Sequence, residues 1–249
     1  MSAAGFATQT LSGVLAPGGT SPLPPIRLTL YVGTVSVDVT PAQVEIIAEQ
    51  QIKQEERQRV LSVFPNFRVS YLPDAAPLNS RQKFQLTRKT VADPTRFLSV
   101  GVVAGIQQAR NDYSGFGGGA EGYARRYAAL YATILTGSLI SNVVLPVVFQ
   151  QDPRYFYKGT GSTSSRVGYA ISRAVVRKGD NGRWQPDYSR ILGHLAAGAI
   201  SNFYYPAADR RGIGLTLRNA ALGIGGAAAG NLMQELVLKR FTTHAHKAP

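Results

Sequence analysis

The stretch YAALYATILTGSLISNVVLPVVFQQDPRYFYKG runs from Tyr127 to Gly159, and its first 23 residues, Tyr127 to Phe149, carry no charge. A helix needs about 20 apolar residues to cross a bilayer's hydrocarbon core, so the length permits a membrane span. Thr133, Thr136, Ser138, Ser141 and Asn142 interrupt the run with polar groups. Pro146 is a place for the helix to stop, because proline lacks the amide proton of the helical ladder. The same residues therefore read as a packed helix among other helices. From Gln150 the chain turns polar, aromatic and basic.

The flanking segments point to close helix packing. Gly101/Gly105, Gly193/Ala197/Ser201 and Gly226/Gly230 are each spaced four apart on apolar stretches. That spacing puts small side chains on one helix face, where backbones can approach. Charged residues make up 16% of the chain, below the roughly 25% of ordinary soluble domains, and 26 glycines fill part of the gap.

Residues 1–27 are rich in Gly, Pro, Ser and Thr and read as linker or disordered chain. Within 28–64, Val35, Val37 and Val39 alternate with polar residues as in a strand, and Thr40-Pro41 opens a polar helix expected to run to Phe64 and stop at Pro65. That helix reads as a solvated spacer or half of a coiled coil. Residues 81–241 hold about five helices, one expected over 165–178, and 242–249 form a loose tail. The fold class expected is mainly α: a small-residue-rich helical bundle with a short N-terminal β segment and a linker helix.

Net charge is +13 and uneven. Residues 1–80 hold five Lys/Arg and six Asp/Glu, whereas 81–249 hold 22 Lys/Arg and eight Asp/Glu. A basic C-terminal part suits an anionic partner, lipid headgroups or nucleic acid. The absence of cysteine excludes disulfides and thiolate chemistry. The first residues lack a basic leader and a long apolar core, so they read as a poor signal peptide.

Chemical motifs are weak. GFGGGAEGYARR, 115–126, precedes a helix but lacks the Lys-Ser/Thr of a phosphate loop and reads as a flexible turn. GIGGAA, 223–228, formally fits a dinucleotide fingerprint but falls mid-helix. His194 stands alone on an apolar helix, and His244 and His246 have no further ligand nearby. No residue set implies a cofactor or metal, and no reaction is indicated. Two related motifs carry more information. In QQDPRYFYKG, Asp152, Arg154, Tyr155, Tyr157 and Lys158 follow an apolar run; in ISNFYYPAADRR, Asn202, Tyr204, Tyr205, Arg210 and Arg211 do the same. Aromatic and basic residues past an apolar helix make an interfacial collar at a membrane. Such residues also occur on single-strand nucleic-acid surfaces, but no binding module accompanies them here.

VSVDVTPAQVEIIAEQQIKQEERQRVLSVFPNF, QDPRYFYKGTGS, GDNGRWQPDYS and AAGAISNFYYP resemble the C-terminal region of uncharacterised acidobacterial proteins labelled carboxypeptidase regulatory-like domain proteins, over roughly residues 28–241. The resemblance implies an exported, cell-envelope protein in which a signal peptide and a small β-sandwich precede this region. Residues 28–40 would then be the last strands of that sandwich, and the start of the chain truncated. It implies no peptidase and transfers no catalytic residue.

The leading functional expectation is a non-catalytic membrane anchor or scaffold of the envelope, its collar meeting anionic lipids. Its small-residue faces would serve for self-association or contact with other envelope proteins. The alternative is an enzyme or small-ligand binder whose polar site between helices uses Asp152, Arg154, His194 and Asn202. A basic nucleic-acid-binding protein is the third.

Overall fold

A computed structural model describes residues 40–210 and 213–245. Residues 28–39 of the expected strand, the collar residue Arg211 and the last histidine, His246, lie outside the described residues.

Helix α1, Pro41–Glu55, begins as its sequence dictates. Thr40 accepts from the Gln43 backbone N–H while the Gln43 side chain accepts from the Thr40 N–H, closing a capping box ahead of Pro41. It ends at Glu55 instead of Phe64. Residues 59–65 fold back as a hairpin of β1, Arg59–Val60, and β2, Phe64–Pro65, whose turn holds Leu61 and Ser62 at φ 51° and 60°. β1 also pairs with β7, Thr242–Thr243, so the expected loose tail begins with an ordered strand. Nor is α1 a solvated spacer. Its Ala48 and Ile52 pack with Phe67, Leu78 and Leu86, the last on α2, Ser80–Val91.

Four helices form an antiparallel layer in chain order. They are α3, Pro94–Ala109; α4, Gly119–Leu139, with its extension to Val148; α7, Tyr188–Ser201; and α8, Ile213–Leu236. α3 packs on α4, α4 on α7, and α7 on α8. The small-residue stripe of α7 is the closest junction. Gly193 lies against the Ser141 backbone, Ala197 against Gly137, and Gly198 against the Thr216 backbone. Gly101 instead receives Tyr123 and Tyr127, and Gly226 and Gly230 have nothing within 4 Å of where a Cβ would stand.

Pro146 does not end the α4 helix. Ile140–Val144 forms a π turn and α5, Leu145–Val148, continues it, because the ladder loosens before the proline. In that turn the Leu145 N–H bonds to the Ile140 carbonyl. The Ser141 carbonyl would next accept from residue 146, which has no N–H. Arg177 Nη1 donates to it at 3.0 Å instead.

The remaining elements cap the end of the layer where α4 and α8 finish. β4, Tyr155–Phe156, runs parallel to β3, Val69–Ser70. α6, Thr163–Ser172, packs on α8 and stops short of the expected Lys178. Val176–Lys178 becomes β5, paired with β6, Trp184–Pro186, because β-branched residues before a Gly-Asp-Asn-Gly turn favour a hairpin. Gly182 in that turn has φ 78°, a conformation open to glycine without steric cost.

Candidate functional site

The two aromatic and basic motifs do not make one collar. The first lies at the C-terminal end of α8, where Tyr155 Oη donates to Glu235 Oε2 at 2.8 Å. The second lies near its N-terminal end, where Tyr205 packs on Tyr113, itself beneath Arg218. Most of their side chains point inward.

Asp152 and Arg154 are buried. Arg154 Nη2 reaches Asp152 Oδ2 at 2.7 Å and its Nη1 reaches Glu55 Oε1 at 3.2 Å, while Nη2 also donates to the Ala76 carbonyl. One guanidinium thus serves two carboxylates. Burial opposes the Asp152 charge, but the Arg154 charge and hydrogen bonds hold its pKa below the usual carboxylate range. Burial dominates at Glu55 and pushes its pKa up to about 7, against the pull of Arg154. Glu235 organises the rest of the motif. It accepts from Tyr155, from the Lys158 and Gly159 backbone N–H groups, and from Arg166 Nε at 3.1 Å. Burial and the neighbouring Glu235 carboxylate raise the Tyr155 pKa. Tyr157 stacks edge-on to Tyr71, and Lys158 Nζ donates to Ser165 Oγ.

In the second motif Tyr205 is buried with Phe116 and Ala129, and the Tyr204 hydroxyl shares a hydrogen bond with Thr133. Asn202 caps α7, donating to the Gly198 and Ala199 carbonyls and to Thr216 Oγ1. Arg210 is exposed and donates to the Tyr205 and Phe203 carbonyls. The motifs therefore act within the fold, and as an outward collar the expectation needs correction for Asp152, Arg154 and Tyr205. The physical reason is charge pairing. In a chain short of acids, the arginine after Asp152 folds onto that carboxylate and is buried with it.

The glycine loop is also tied down. Arg126 is buried and donates to the carbonyls of Asp112, Tyr113, Gly117 and Gly122 and to the Gln108 side chain. GIGGAA lies inside α8, as its period indicates.

The four residues proposed for a polar site, Asp152, Arg154, His194 and Asn202, do not line one cavity. His194 alone does. That cavity, about 690 Å³, lies along α3, α4, α7 and α8. Its lining includes the basic or polar side chains of Arg68, Arg96, Arg190, His194 and Asn142 and the apolar side chains of Leu130, Ile134, Ala197 and Leu222. Arg68 Nη2 donates to Asn142 Oδ1 and to the Pro153 carbonyl. Asp187, the N-cap of α7, pairs with Arg177 Nε at 2.9 Å and Arg190 Nε at 3.1 Å. Burial, then repulsion from Arg177, Arg190 and Arg96, lowers the Arg68 pKa to about 9. Sequence reasoning missed this cluster. The available signal was arithmetic: with 14 Asp/Glu for 27 Lys/Arg, acids are too few to give every basic residue its own carboxylate. Among the described residues no three His, Asp or Glu side chains gather as a metal set.

Fold and site together define a mainly α-helical protein in which an antiparallel helix layer carries a basic cavity. Comparison with protein families, curated proteins and solved structures finds no match.

Proposed function

We propose that this chain is a membrane-associated anchor or scaffold of the cell envelope, held at an anionic bilayer by the outer surface of its helix layer. The observation carrying this reading is an inverted distribution of polarity. Leu98, Val102, Val148, Phe203, Ile213 and Leu217 are exposed, whereas Lys83, Arg126, Arg154, Arg177, Asp152 and Asp187 are buried. Large apolar groups facing out and paired charges facing in suit lipid as the outer solvent. The helix Gly119–Val148 is long and apolar enough to cross a membrane, and 22% of its most apolar stretch is buried. The net charge of +13 favours anionic headgroups.

The test is fractionation of the expressed full chain, with a carbonate wash, followed by flotation on phosphatidylglycerol and phosphatidylcholine vesicles. Retention through carbonate and stronger flotation on the anionic vesicles are expected. A folded chain that stays in the aqueous fraction without detergent overturns the reading.

A further inference from the structure

The cavity holds more positive charge than its surroundings neutralise. Arg68, Arg177 and Arg190 interact with one another, and the carboxylate placed among them is that of Asp187. Arg96 adds a fourth guanidinium, whose side chain has no hydrogen-bond or ion-pair partner among the described residues, and it lines the cavity. The Nε of Arg68 is buried without a hydrogen-bond partner. A guanidinium without a carboxylate is costly to desolvate, so Arg68 and Arg96, which have no ion-pair partner among the described residues and line the open volume, gain from an anion brought into it. Among the described residues that line the cavity there is no Asp or Glu.

The lining also has an apolar part. Along α4 the lining passes from Asn142 at the cap end to Ile134 and Leu130, a run of about 18 Å at helical rise. Small residues keep the volume open. Gly226 and Gly230 of α8 line it, with nothing outside their own helix within 4 Å of where a Cβ would stand. A volume of about 690 Å³ falls in the roughly 300–1,000 Å³ range of small-molecule sites.

We infer that this cavity binds an amphipathic anion, its carboxylate or phosphate head paired with Arg68, Arg96 and Arg190 and its apolar chain lying along α4 and α8 toward Leu130 and Leu222. This goes beyond membrane attachment, which uses the outer surface of the layer and does not require the cavity.

The experiment measures radiolabelled oleate bound to the immobilised full chain in neutral detergent, with unlabelled oleate, oleyl alcohol and inorganic phosphate as competitors. Oleate should displace the label saturably. The alcohol, which keeps the chain and lacks the charge, should compete at least tenfold less well, and phosphate should compete weakly. Arg96→Gln is the informative variant, because Arg96 holds no internal partner whose loss would unfold the chain. It should bind oleate about tenfold more weakly with unchanged thermal stability. Equal competition by the alcohol removes the anion from the proposal, and equal competition by phosphate removes the chain. Undiminished binding in R96Q, or no saturable binding at all, overturns the site. A chain that leaves the membrane in the carbonate wash yet binds oleate in this way would fail the anchor reading and keep this one.

Discussion

Replacing Gly193 by alanine tests the junction on which the helix layer depends. A Cβ there would stand 2.6 Å from Ser141 Cβ, 2.7 Å from Ser141 Cα and 2.9 Å from its nitrogen. Carbon atoms pack at about 3.5–4.0 Å, so α7 and the π turn must separate by about 1 Å. The atoms met are the Ser141 backbone and its Cβ, which no rotamer change can move. The upper half of the usual overpacking range therefore applies, about 2–3 kcal/mol. Alanine recovers about 1 kcal/mol of helix propensity over glycine. The net expectation is a loss of about 1–2 kcal/mol, which for a chain of this size lowers Tm by about 2–8 °C. Gly226→Ala is the internal control. Nothing lies within 4 Å of its Cβ position, so the propensity gain stands alone and Tm should rise by a few degrees. Thermal unfolding in neutral detergent, followed by far-UV circular dichroism, reads both. If Gly193→Ala raises Tm as Gly226→Ala does, the two helices do not meet at Ser141 and the layer is wrongly assembled.

Two further outcomes follow from the buried charges. Asp187→Asn leaves Arg177 and Arg190 without their shared carboxylate and should cost about 3–5 kcal/mol, measured as a fall in the denaturant midpoint; a change under about 1 kcal/mol would show that these arginines find other compensation. Glu55 makes stability depend on pH. Its carboxyl keeps its proton up to about pH 7 in the folded chain and up to about 4.5 in the unfolded one, so the folded state holds the extra proton between them. Its contribution is present below pH 4.5 and is lost as pH rises to about 7, by up to about 3 kcal/mol at about 1.4 kcal/mol per pH unit. Glu55→Gln should flatten that part of the profile in denaturant titrations at pH 5 and 7.5. An identical slope in parent and variant counts against the raised pKa.

Local signals in the chain were legible where they act over a few residues. Thr40-Pro41 starts a helix, because cap and proline position lie within one turn. The stripe Gly193/Ala197/Ser201 marks a packed face, because four-residue spacing aligns side chains whatever the partner. Gly226/Gly230 has the same spacing and borders open volume instead, so spacing identifies a face and not its occupant. The end of α1 was misjudged because β1 pairs with Thr242–Thr243, far along the chain, and the end of α6 because Val176–Lys178 leaves the helix for a hairpin with Trp184–Pro186.

The sequence by itself determined a mainly α-helical protein, its basic C-terminal part, and one uncharged run long enough to span a bilayer, since composition and period need no partner to be read. Only the tertiary structure decided which way the charged residues face. Arg154 bonds its neighbour Asp152 and also Glu55, 99 residues away, and Arg177 satisfies a carbonyl that Pro146 leaves without a donor. Such pairings depend on chain segments brought together by folding. They turned an apparent surface motif into an interior ion cluster and left unneutralised arginines beside a cavity.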